Sequence, residues 1–182
     1  MSLFHSDAFL AFRSRDFSLL SVNQLCLILA IMIQEVVIAY SVYQLTQNPL
    51  SLGMIALIEL LPFICLSLIS GDWADRYNRQ KIVQWSFSCS TLIPLLFIVL
   101  FSQYQQQHIQ QNTLLCGIYS LIFCLGILRG IYSPSFNSLR PFLTPESAYS
   151  NAATWTALIW QIGGILAPLC AGLLLGQLGL EK

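Results

Sequence analysis

Three ionisable residues, Glu35, Glu59 and Arg129, stand inside long apolar runs of a chain that is only 9% charged. At the centre of a bilayer each costs about 2.5–3.5 kcal/mol, so such groups are seldom left there without a task. The chemistry open to them is the handling of ions. A carboxylate at that depth can load and release a proton, whereas a guanidinium keeps its charge and needs an anionic or carbonyl partner. Glu35 lies eleven residues after Gln24, close to three helical turns, so the two share a helix face with Ile28 and Ile31. Gln34 adds an amide next to it. Glu35 is thus a candidate proton or cation carrier, or a structural hydrogen-bonder to a neighbouring helix. Glu59 precedes Pro62 by three residues, where a proline frees a carbonyl and bends a helix, so packing or gating competes with ligand contact. Arg129 either faces a central cavity or snorkels toward an interface.

Long apolar helices must position these groups. The 182 residues are 56% hydrophobic and 12% aromatic, with a mean hydropathy of +0.70, too apolar for a water-soluble domain. Lipid is the expected solvent. A net charge of zero gives no argument for a nucleic acid partner. Five runs are about long enough to cross roughly 30 Å of hydrocarbon as helix: Phe17–Leu45, Leu50–Ser70, Ile82–Ser102, Thr113–Phe136 and Ala153–Gly176. The first is too long and too polar for a signal peptide. The expected fold is all-α, a polytopic membrane helix bundle with short connections.

The basic residues orient it. Arg13 and Arg15 precede the first run, Arg76, Arg79 and Lys81 separate the second from the third, and Arg140 follows the fourth. The alternate connections, TQNP and QYQQQHIQQN, have no Lys or Arg. The positive-inside rule therefore places the N-terminus and the second connection in the cytoplasm.

That second connection, GDWADRYNRQK, holds five of the sixteen formal charges. Topology alone would need only Lys and Arg, but here Asp72 and Asp75 are present, and Asp75 is spaced to pair with Arg79 on one helical turn. The stretch resembles the loop signature of the major facilitator superfamily, Gly-x-Leu-Ala-Asp-Arg-x-Gly-Arg-Lys/Arg, between transmembrane helices two and three. Gly71, Ala74, Asp75, Arg76, Arg79 and Lys81 fit; Trp73 replaces Leu, and Asn78 replaces the second Gly as the residue most tolerant of positive φ. FRSRDFSLLSVNQ, YQLTQNPLSLG, IELLPFICLSLISG and RGIYSPSFNSLRPFLTPE are similar to the branch containing enterobactin exporters and macrolide efflux pumps.

In the last run, Gly163, Ala167 and Ala171 recur every four residues, as do Gly164, Pro168, Gly172 and Gly176 on the adjoining face. Small residues admit a close helix neighbour. The pattern resembles the helix-five signature of facilitator antiporters, and a generic packing face explains it equally. The six cysteines lie in apolar runs without a CxxC pair, and His5 and His108 have no partners at metal spacing, so no metal site is expected. Nor is a cofactor: there is no Walker sequence and no catalytic cluster of an enzyme.

The resemblance implies a secondary transporter of the plasma (inner) membrane, a proton-coupled exporter of small amphipathic molecules of drug, macrolide or siderophore class. Its partners would be the lipid bilayer, the substrate and protons. Glu35 would carry the proton, Arg129 would be its charge partner or touch substrate, and Gly71, Asp75, Arg76 and Arg79 would form a cytoplasmic latch. A non-transporting membrane remnant with the same fold is the alternative. Facilitators have two six-helix halves, and five runs ending at GQLGLEK look like a truncated N-terminal half, with a C-terminal half expected as partner.

Overall fold

Hydrocarbon offers no water to a peptide N–H or C=O, so a crossing segment must satisfy its own backbone as helix. The computed structural model describes residues 10–144 and 148–177, apart from the side chains of residues 74–75 and 139–143. After a short 3-10 turn, Ala11–Arg13, come α1 (Arg15–Thr46), α2 (Leu50–Arg76), α3 (Arg79–Gln105), α4 (Gln111–Leu143) and α5 (Tyr149–Gln177). All five are long and apolar enough to cross a membrane, and no strand occurs among the described residues. Each apolar run of the sequence falls within one of these helices. Leu68, Leu50, Ile165 and Leu19 are each at least 70% uncovered by the chain, an exposure that suits lipid rather than water.

The helices outrun the apolar segments because polar residues near their ends still satisfy the backbone. Thus α2 continues through Gly71 to Arg76, and only Tyr77 and Asn78 separate it from α3. This corrects two expectations. Asn78 has φ −67° and ψ 107°, not a positive φ, because it caps α3: its carboxamide oxygen accepts from the N–H groups of Gln80 (3.0 Å) and Lys81 (3.4 Å). Asp75 and Arg79 lie in different helices, so their spacing does not place them on one turn; the side chain of Asp75 is outside the described residues, as are that of Arg140 and the end of GQLGLEK. Asp72 and Arg76 form an ion pair at this end, 2.9 Å and largely exposed. At the opposite ends of the helices, α1 and α3 stop at left-handed residues, Gln47 (φ 50°) and Gln107 (φ 58°).

The chain divides into two compact units, Met1–Ile38 with Arg140–Lys182, and Ala39–Leu139. In the first, the segment before α1 is fastened to the start of α5. The Ala11 N–H donates to Asn151 Oδ1 (3.2 Å), and the Phe12 ring meets Trp155 and Phe17 edge-on, at 5.0 and 5.4 Å between centroids. Further along, Gly163 of α5 meets Ile28 of α1, whose Cγ2 would stand 2.5 Å from an added Cβ. In the second unit, Phe87 of α3 packs on Tyr132 and Phe136 of α4, and Gln111 donates to the Leu45 carbonyl at the end of α1.

The glycines separate tight contacts from open ones. A Cβ at Gly126 of α4 would strike the Glu59 carbonyl and stand 2.7 Å from Pro62 Cγ, whereas one at Gly164 meets nothing within 4 Å. Gly126→Ala should therefore cost about 1–3 kcal/mol through overpacking against backbone. Gly164→Ala should be neutral or gain up to about 1 kcal/mol from helix propensity. Unfolding of both variants in detergent micelles checks this; equal effects would mean that α2 and α4 do not approach at Gly126.

Candidate functional site

On α2, Glu59, Pro62, Phe63, Leu66 and Ser70 follow a three- and four-residue rhythm and form one stripe along the helix. On α4, Gly126 and Gly130 bracket Arg129 in a GxxxG arrangement, which lets helix backbones come close. The two faces meet. A Cβ at Gly130 would touch Leu66 Cβ and the Phe63 carbonyl, both at 3.0 Å, and Ser70, almost wholly buried, donates to the Gly130 carbonyl at 2.6 Å.

This approach brings Arg129 and Glu59 together. Arg129 Nη1 donates to Glu59 Oε1 at 2.7 Å, with side-chain exposures of 33% for the arginine and 18% for the glutamate. The guanidinium also stands over the Phe63 ring, 5.9 Å from its centroid. An ionised donor and acceptor at this distance make a charge-assisted hydrogen bond, and the opposite charges offset each other's loss of hydration. Two candidates read separately from the sequence therefore form one site, in which Glu59 is an anionic partner of Arg129.

The remaining candidates are distributed along other elements. Gln24, Gln34 and Glu35 all lie on the part of α1 in the first unit. Gln24 is 3% exposed, its Nε2 has no hydrogen-bond partner, and Gln34 Nε2 is likewise buried and unpartnered. Glu35 is half-buried and interacts with another group of the chain. In the loop motif, Gly71 has open space around it, Arg76 pairs with Asp72, Arg79 is engaged, and Lys81 is exposed.

On α5, Gly163, Ala167 and Ala171 are buried. The adjoining face is not: Pro168 and Gly172 are exposed, Gly164 is half-buried, and added Cβ atoms at Gly164 and Gly172 meet nothing within 4 Å. One of the two small-residue faces thus carries the packing. Among the described residues no three His, Cys, Asp or Glu could hold a metal ion, and all six cysteines are free.

Sequence reading missed the Gly126–Gly130 contact, although LGILRG spells the small-residue spacing. It also had no means of joining Glu59 to a group seventy positions away. The pair yields a double-mutant cycle. The double variant Glu59→Gln/Arg129→Gln should lose less stability than the sum of the two single losses, with a coupling of about 0.5–3 kcal/mol in micelle unfolding. Strictly additive losses would show that the two side chains do not interact.

The Major Facilitator Superfamily pattern matches residues 20–181. Among curated proteins, the chain is 26% identical over 128 residues to a staphyloferrin A transporter of Staphylococcus aureus, covering 70% of this chain and 31% of that one. Two MFS-type transporters of Bacillus subtilis are also similar. YkuC is 27% identical over 129 residues (69% of this chain, 27% of its own), and YfiS is 23% identical over 146 residues (80% and 32%). The chain thus spans about a third or less of the length of these relatives. No solved structure gives a significant match. With five membrane-length helices and a family match over most of its length, the chain belongs to the Major Facilitator Superfamily.

Proposed function

We propose that the chain supplies helices of a proton-coupled secondary exporter in the plasma membrane, acting on small amphipathic molecules of drug, macrolide or siderophore class. The observation that carries this reading is the Glu59–Arg129 pair, held inside two membrane-length helices by glycine contacts. A merely structural bundle gains little from it, since buried ion pairs contribute weakly to stability compared with apolar packing. An intramembrane pair is better suited to meeting a charged or polar ligand. The staphyloferrin A transporter among the relatives supports the siderophore member of the substrate class.

In this reading Glu35 carries the proton, and the unpartnered amides of Gln24 and Gln34 on the same helix offer donors to a substrate near the midplane. Arg129 contacts substrate when Glu59 gives it up. Gly71, Asp75, Arg76 and Arg79 form the latch on the cytoplasmic side, the side that the positive-inside rule also assigns to the N-terminus. Alternating access by rocking of two halves requires a second set of helices opposite these.

Transport is measured with the whole protein in liposomes under an imposed pH gradient. Glu35→Gln keeps the shape of the side chain but cannot titrate, so it should abolish gradient-driven export while leaving membrane insertion intact. Unchanged export would remove Glu35 from the mechanism. Absence of any pH-dependent flux in the unsubstituted protein would leave a non-transporting membrane role. Residues 1–182 reconstituted alone are expected to insert without transporting, and substrate-specific flux from them as monomers would overturn the need for further helices.

A further inference from the structure

Where α2 ends and α3 begins, an open cavity of about 790 Å³ lies within the second unit. Trp73 and Tyr77 come to it from the end of α2, Lys81, Trp85 and Ser86 from the first turns of α3, and Ile131 from α4. The apolar run of α2 closes at Ser70 and that of α3 opens at Ile82, so the cavity, lined from Trp73 to Ser86, straddles the expected boundary between hydrocarbon and headgroups. Tyr77 and Trp85 leave 67% and 64% of their surface uncovered, and Trp73 leaves 40%. Aromatic rings with a polar edge favour the headgroup layer.

The polar lining adds a sign. Lys81 is exposed, whereas the neighbouring Arg76 is paired with Asp72. The backbone N–H groups of Gln80 and Lys81 are already taken by the Asn78 side chain, so positive charge here comes from the ammonium rather than from the helix end. Ser86, five residues and about 7.5 Å deeper along α3, is wholly buried in the cavity wall and its hydroxyl has no partner. A cation at the mouth, an unsatisfied donor deeper down and an apolar, aromatic wall between them match one chemical class.

We infer that this cavity binds a membrane phospholipid with an anionic headgroup. The phosphate lies at Lys81, the glycerol ester region reaches toward Ser86, and the acyl chains run along Trp85 and Ile131. This site does not depend on transport. Its charge complementarity is that of basic pockets between transmembrane helices, where each Lys or Arg near the surface adds about 1 kcal/mol toward anionic lipid.

The test is native mass spectrometry of the full chain titrated with phosphatidylglycerol or phosphatidylcholine. Preferential retention of phosphatidylglycerol is expected. Lys81→Gln should weaken it about fivefold and Lys81→Arg should preserve it. Arg15→Gln, which removes the same charge from the start of α1, should leave it unchanged. Trp85→Ala should weaken both lipids. Equal losses in Lys81→Gln and Arg15→Gln would reduce the effect to unspecific electrostatics and overturn the site. So would unaltered binding in Lys81→Gln, or displacement of the lipid by millimolar inorganic phosphate, which would mark a site for the free anion.

Discussion

An arginine cannot release its charge, and in a helix surrounded by hydrocarbon that fact dictates what must stand beside it. Arg129 finds a carboxylate at 2.7 Å on α2, and the contact has geometric consequences. Glu59 and Arg129 can meet at this distance, with Phe63 beneath the guanidinium, where the helix backbones are close. Closeness in turn requires that α4 present no side chain at positions 126 and 130. Pro62 fills the gap on the facing helix. The Ser70 hydroxyl, bonded to the Gly130 carbonyl, fastens the same approach toward the end of α2. Charge, glycine spacing and proline position are therefore one arrangement.

Outside the hydrocarbon the constraints change. At the α2–α3 junction water and headgroups can satisfy polar atoms, and the chain needs only two non-helical residues to reverse. Asn78 makes that economy workable by capping α3, and the exposed Asp72–Arg76 pair adds little energy of its own. Charges near helix ends cost little and can serve orientation, whereas the pair in mid-helix is expensive unless compensated. The two populations of charge thus obey different physics although they lie on the same helix.

Much of this was legible in the sequence, and the boundary follows the range of each signal. Helix existence depends on local hydropathy, so all five spans were apparent; their true ends were not, because helices continue into polar segments that hydropathy treats as loops. The need of Arg129 for an anion could be read from its chemistry alone. The contact with Glu59 could not, because the two stand seventy positions apart and only helix packing brings them together. The two small-residue faces of α5 look alike as text, yet Ile28 covers Gly163 while Gly164 stays open. Asn78 was recognised as a turn residue for the wrong reason: in place of a glycine it suggested positive φ, while its structural work is done by the side chain.

A compensated pair is also a restrained one. Oppositely charged groups at hydrogen-bonding distance in a poorly polarisable setting separate at a reasonable cost only when something else takes the place of one of them. For Arg129 the replacement must be another anion or strong acceptor; for Glu59 it is another cation or hydrogen-bond donor. Either exchange releases the opposite member, so a ligand that takes Arg129 frees the Glu59 carboxylate, and a cation or donor that takes Glu59 frees Arg129. The coupling is reciprocal by thermodynamic necessity and needs no long pathway between the sites. Under the proposed reading, in which Arg129 meets substrate when Glu59 gives it up, the ion pair that makes Arg129 tolerable in lipid is also the contact that substrate displaces.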